Sequence, residues 1–203
     1  MPEQHYFSES PDTPERRRTL RVELAGEVRE VITANGIFSP DGLDKGTDAL
    51  LRRVPAPPAQ GTFLDIGCGW GPVALTLGFL APDAAVWAVD VNSRSLGLTR
   101  DNAAGLGLGN VTARRPEEVP ADLGFDLIWS NPPIRVGKEA LHQILELWLP
   151  RLNPGGEAYL VVQKNLGSDS LEAWLKSVLP AGFEVERYAR EKAFRVIAVR
   201  RAA

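Results

Sequence analysis

Two rhythms of apolar and polar positions run along this chain. From Gly61 onward, apolar runs of strand length alternate with stretches that repeat every three to four residues. "TFLDIG" reads as a buried strand, and "PVALTLGFL" as a helix with Pro72 in its first turn, where a missing N–H costs no intrahelical bond. "AVWAVDV" is a second strand, followed by a helix from Ser93, read as its N-cap, to about Leu106. "VTARR" and "FDLIWS" are the third and fourth strands. A helix over Lys138 to Leu152 then leaves through the turn "NPGG". "EAYLVVQ" is the fifth strand, Asp169 to Leu179 another helix, and "FEVERYA" and "RVIAVRR" an antiparallel hairpin. This order predicts an α/β fold: a seven-stranded, mostly parallel sheet with an antiparallel C-terminal hairpin and helices on both faces.

A different rhythm precedes it. "TLRVELAGEVREVIT" alternates apolar and charged residues about Ala25-Gly26, as a hairpin with one solvated face does. "GIFSPDGLDKGTDALLRRV" is a loop entering a short helix near Thr47, and "PAPPAQG" a stiff, proline-rich joint. The expectation is one domain over 1–203, with an N-terminal extension (1–58) and a core (59–203).

Composition narrows the class. Apolar residues make up 44% and charged residues 24%, as in a soluble globular core. No apolar run nears the ~20 residues that cross a bilayer, and "MPEQHYFSESPDTPERRRT" has no secretory pattern, so a cytoplasmic protein without membrane contact is expected. One cysteine forbids an internal disulfide, and two histidines offer no metal cluster, so no metal is expected. A net charge of −3 neither advertises nor forbids nucleic-acid binding, since a local basic patch suffices.

The chemistry gathers at strand ends. "FLDIGCGWGP" sets Gly67, Gly69 and Gly71 between the first core strand and its helix, where the backbone can approach a ligand. Such a loop is also an ordinary tight turn. Two carboxylates sharpen it: Asp65 just before the loop, and Asp90 ending the next strand, placed to accept ribose hydroxyls. The spacing is G-x-G-x-G, not the G-x-G-x-x-G of dinucleotide sites, and a carboxylate at the mouth favours a ligand with a positive end. S-adenosylmethionine, with ribose, adenine, ammonium and sulfonium, fits that pattern. The fourth strand ends in "SNPPI", which reads either as turn punctuation or as a rigid device that aims carbonyls and a carboxamide at N–H groups.

In this order "LDIGCGWG", "AVDVN" and "SNPPI" resemble the class I S-adenosylmethionine-dependent methyltransferases, Rossmann-like enzymes. "HYFSESP", "GIFSPDGLDKGTDALL" and "NPPIRVGKE" look like the small-domain group that includes ribosomal RNA small subunit methyltransferase C, whose target is the 2-amino group of a guanine in small-subunit (16S) ribosomal RNA. The resemblance implies S-adenosylmethionine as cofactor, ribosomal RNA or the small subunit as partner, and Asn131, Pro132, Pro133 and Ile134 as the catalytic turn. Cofactor contacts are expected from Asp65, Gly67, Cys68, Gly69, Gly71, Asp90, Val91, Asn92 and Asn131. Relatives carry an aromatic after the two prolines where this chain has Ile134; Tyr6 and Phe7 in the tail are candidates to cover the base, or else core surface. Arg135 and Lys138 could hold phosphates beside the target.

Other positions keep two readings. Gly46 and Thr47 could offer free helix N–H groups to the cofactor carboxylate, or belong to an ordinary cap by Asp44 or Thr47. Arg114, Arg115 and Pro116 could line the adenine pocket or be surface residues, and Asn92 could frame the adenine. Cys68 reads as packing, not as a nucleophile, and His142 as surface or packed. The clusters "ERRRTLR", "LRRV", "RYAREKAFR" and, near the C-terminus, "VRR" could meet RNA or be solvated faces. Three rival functions remain: methylation of a protein glutamine amide, a noncatalytic RNA-binding module, and an NAD-dependent oxidoreductase, against which the loop spacing counts.

Overall fold

The computed structural model describes residues 13–203, so Tyr6 and Phe7 lie outside the described residues. β1 (Arg17–Leu24) and β2 (Glu27–Ala34) form the hairpin, and α1 (Lys45–Arg53) follows it. The core runs β3 (Thr62–Ile66), α2 (Pro72–Leu80), β4 (Ala85–Val89), α3 (Ser93–Gly105), β5 (Val111–Arg114), β6 (Phe125–Ser130) and α4 (Lys138–Trp148). It closes with β7 (Leu152–Gln163), α5 (Ser168–Val178), β8 (Phe183–Glu191) and β9 (Phe194–Arg201). The seven core strands lie in the order β5-β4-β3-β6-β7-β9-β8, parallel from β5 through β7, with β9 antiparallel to both its neighbours. Strand order reverses between β3 and β6. At such a switch point the following loops leave in opposite directions and open a crevice at the carboxyl ends of the strands.

Alternate residues of the sheet bury on opposite faces. Phe63, Val86, Leu127, Trp129 and Val196 meet α1 and α2 through Ala49, Leu50, Val73 and Leu77. Leu64, Ile128, Leu160 and Ile197 meet α4 and α5 through Leu141, Leu145, Leu171 and Leu175. Phe125 packs edge-on against Trp148, centroids 6.0 Å apart, a pairing worth about 0.5–1.5 kcal/mol beyond its buried area.

The N-terminal extension is tied to the core through side chains that polar patterning does not reveal. Asn102 donates to the carbonyls of Ile32 (2.9 Å) and Trp70 (2.9 Å) and accepts the Ile32 N–H (2.6 Å). Asn92 donates to the Gly36 carbonyl at 3.0 Å. These bonds, with Leu24, Val31 and Ile37 packed on Trp70 and Leu98, bring the loop before α1 over the crevice.

Beyond shifts of a residue or two at element ends, three boundaries differ from the sequence reading. Asn92, not Ser93, caps α3: its side chain accepts from the N–H groups of Arg94 and Ser95. α4 stops at Trp148, because Pro150 has no N–H to continue the ladder, and a 3-10 turn follows. "NPGG" is a bulge near the start of β7, where the pairing jumps from Phe125 with Leu152 to Leu127 with Glu157.

Candidate active site

A cavity of about 460 Å³ opens over the carboxyl ends of β3, β4 and β6. Gly67 of the glycine loop lines it, and β4 straps that loop down. The N–H groups of Gly67 and Cys68 donate to the Val89 carbonyl at 2.8 and 3.0 Å, and the Gly69 N–H donates to Asp90 Oδ2 at 3.0 Å. Gly69 has φ +58° and open space where a Cβ would point. At Gly71, with φ +99°, a Cβ would press on Thr99 at 3.1 Å, so glycine alone lets the loop turn into α2.

Asp90 borders the cavity, with its Oδ1 accepting the Asn92 N–H at 2.8 Å. Burial pushes its carboxyl up, against the pull of those N–H donors. Beside it stand exposed Val91, buried Ser95 and half-buried Pro116, facing an apolar wall of Ile134, Val136 and Ile144. A carboxylate for hydroxyls next to a slot for a flat apolar ring suits an adenosine.

A smaller cavity, about 20 Å³, is bordered by Asp44, Thr47, Asp65, Cys68, Gly69 and Asn131. That is room for about one water- or ammonium-sized group. Asp65 is wholly buried, and its Oδ2 accepts the Ala74 N–H at 3.0 Å. Burial raises its carboxyl to about 8, with the nearby Asp90 charge adding to the rise. The folded state therefore holds a proton that the unfolded chain gives up near pH 4. Asp65 favours folding most below pH 4, and that contribution is lost as pH rises through about 8.

The donor set fits S-adenosylmethionine: Asp65 would take the ammonium, Asp90 the ribose, and the apolar slot the adenine. Binding a cation beside Asp65 favours its ionised form, so cofactor affinity should climb with pH up to about 8 and then level. Asp65→Asn should weaken binding about 10- to 100-fold at pH 8.5 and flatten that climb, as calorimetric titrations across pH would read.

The turn after β6 answers the puzzle of its prolines. The Ile134 N–H donates to the Pro132 carbonyl at 2.8 Å, closing an inverse γ-turn on Pro133 (φ −74°, ψ 75°). One lone pair of that carbonyl stays available. The Asn131 Nδ2 donates to Asp44 Oδ2 at 2.9 Å and to Thr47 Oγ1 at 3.0 Å. Among the described residues no donor meets Asn131 Oδ1. Both acceptors belong to residues lining the large cavity, as do Pro133 and Ile134.

Several expected residues stand elsewhere. The N–H groups of Gly46 and Thr47 both donate to Asp44 Oδ2, at 2.7 and 3.3 Å, so the ordinary cap holds and a second carboxylate there would be repelled. Asn92 is buried, its amide engaged with Gly36 and the start of α3. Arg115 does not border the cavity: its N–H meets Glu118 and its guanidinium faces Glu117, while Pro116 takes the lining position. Lys138 is exposed at the start of α4, and the Arg135 side chain is outside the described ones. Cys68 is buried with its thiol pushed well up by burial, a packing residue under the loop. His142 stacks on Trp174 at 3.5 Å. Phe38, Asp44, Ser95, Gln163 and Phe194 border the cavity without having been singled out as ligands; of these only Asp44 had a local signal, its capping position before Gly46 and Thr47.

Residues 28–198 match the methyltransferase small domain family. The chain is 31% identical over 197 residues to the uncharacterized protein YbxB of Bacillus subtilis, covering 96% of each. It is 36% identical over 135 residues to ribosomal RNA small subunit methyltransferase C of Cronobacter sakazakii, covering 64% of this chain and 39% of that one. The fold is shared with the T. thermophilus 16S rRNA N2 methyltransferase solved with AdoMet and guanosine: TM-score 0.78, 23% identity, 94% of this chain and 52% of that one. The chain thus spans about two-fifths to one-half of these ribosomal RNA methyltransferases. With a match running from the hairpin into the last strand, and a cleft whose residues fit a sulfonium nucleoside, the chain belongs to the methyltransferase small domain family, and S-adenosylmethionine is its expected cofactor.

Proposed function

We propose that this protein methylates the exocyclic 2-amino group of a guanine in small-subunit ribosomal RNA. The observation that carries the reading is the pair of acceptors, Asn131 Oδ1 and the Pro132 carbonyl, at the rim of the cofactor cleft. An exocyclic amine is a poor nucleophile because its lone pair is delocalised into the ring. Two acceptors that take its two N–H bonds hold the nitrogen in place and favour a localised lone pair. The bound cofactor supplies an electrophilic methyl group on a sulfonium, so the residues need to orient the amine more than to deprotonate it. Ile134 gives the target apolar cover, and Phe38 and Phe194, bordering the same cavity, offer the aromatic faces that Ile134 lacks. The names of the relatives support RNA as the substrate class.

Charge supports a local rather than a global attraction. Most arginines of the basic clusters are engaged within the chain: Arg17 with Asp101, Arg53 with Glu191, Arg187 with Glu172, and Arg200 with Glu157. Lys45, Lys138 and Lys164 are exposed and adjoin cavity-lining segments, and none is paired within the described residues. Labelled methyl groups from the cofactor should enter naked ribosomal RNA, small subunits or ribosomes and map to guanine N2. Label on a protein amide instead would overturn the reading. Replacing the three lysines by alanine should lower the slope of log affinity against log salt by about 2 to 3, since each lost phosphate contact removes roughly 0.7–0.9.

A further inference from the structure

A carboxamide can present either its oxygen or its nitrogen, and only the oxygen accepts from an amine. We infer that Asp44, from the loop before α1, sets this orientation of Asn131 and is a positioning residue for methyl transfer. The kinetic side of the inference rests on the amine substrate proposed above; the geometric side stands without it.

Asp44 Oδ2 already accepts the N–H groups of Gly46 and Thr47, and the atom of Asn131 that meets this same acceptor at 2.9 Å is the nitrogen. Its second hydrogen goes to Thr47 Oγ1 at 3.0 Å. With both hydrogens used, Oδ1 is left as the group free to accept. Turned end for end, the carboxamide would set its oxygen against the Asp44 carboxylate and offer a donor to a donor. The same Oδ2 caps α1 through Gly46 and Thr47, which fixes the carboxylate in turn. Gly46 leaves the room: a Cβ there would stand 2.9 Å from Asp44 Oδ2 and 3.2 Å from both terminal atoms of Asn131. Residues 87 apart in sequence thus form one clamp.

Asp44→Ser separates the clamp from the cap. Serine is a good N-cap, so α1 keeps its first turn, but its side chain is one atom too short to hold Asn131 as well. At saturating cofactor, Asp44→Ser should lower kcat about 10- to 100-fold, the range expected when a hydrogen bond to a charged group is lost. Asp44→Asn, which still reaches, should fall between Asp44→Ser and the unmodified protein. In an Asn131→Ala background Asp44→Ser should add nothing, because it acts through the group already removed. An unchanged kcat, or an equal fold loss in both backgrounds, would overturn the inference. A readout without substrate separates it from the functional reading: the side-chain amide resonances of Asn131, assigned by their loss in Asn131→Ala. They should exchange slowly with solvent in the unmodified protein and quickly in Asp44→Ser. Identical exchange in the two refutes the clamp. Altered exchange with no methylation of ribosomal RNA refutes the substrate and keeps the clamp.

Discussion

Asn131→Ala is expected to lower kcat about 10²- to 10³-fold while leaving cofactor affinity within about threefold, the size of effect seen when one preorganised polar group at a reacting centre is removed. The turn should survive the change. Its shape is set by the inverse γ-turn on Pro133 and by Ser130, whose hydroxyl donates to the Ile66 carbonyl at 2.7 Å; neither needs the carboxamide. Asp44 would still cap α1 through two backbone N–H groups. What disappears is one of two acceptors for the amine, and with it the restraint that holds a weak nucleophile in attacking geometry. Asn131→Asp should be at least as damaging. It would set a second carboxylate beside Asp44, and two like charges about 3 Å apart cannot both ionise. Single-turnover rates at saturating cofactor, compared with equilibrium titration, separate rate from affinity. Matching losses in the two would contradict the assigned role.

The strands and helices that carry this site were legible because each follows from a local pattern. β3 to β7 read as short apolar runs, and both glycine-rich and proline-rich loops sit at strand ends that the pattern itself marks. The residues that aim those loops were harder to see. Asp44 announces itself only as a helix cap; its second task depends on a partner in a turn that sequence spacing cannot bring near. Of the two readings open for Arg115, pocket or surface, the structure shows the surface one, for a related reason. Long side chains follow the nearest opposite charge, here Glu117, and leave the cavity to the short, rigid Pro116. Asn92 was assigned to the ligand because it adjoins Asp90 in sequence. Its side chain turns the other way, toward the Gly36 carbonyl and the first N–H groups of α3. Local rules place backbones; which neighbour a polar side chain chooses is decided by the assembled fold.

Asp90→Ala should show the converse of Asn131→Ala: cofactor Kd raised about 10²- to 10³-fold, with kcat largely regained when cofactor is supplied in excess. Two ribose hydroxyls bonded to one carboxylate would each contribute about 1.5–2 kcal/mol, at the lower end for bonds to a charged group, so losing both accounts for that range. A second cost falls on the protein itself. Gly69 and Asn92 lose the acceptor of their N–H groups, and the glycine loop keeps only its two bonds to the Val89 carbonyl, so Tm should fall as well. Asp90→Asn keeps one acceptor oxygen and should lie between the two in affinity. The recovery of kcat is the sharper half of the test. Gly67 approaches Pro133 so closely that a Cβ there would touch the proline ring at 3.7 Å, so the cofactor loop and the catalytic turn are neighbours in one packed unit. If loosening the loop displaced the turn, excess cofactor would not restore the rate. Recovery would show that Pro133 and Ile134 are held by β6 and α4 on their own account, and that binding and orientation are separable tasks of two adjoining strand ends.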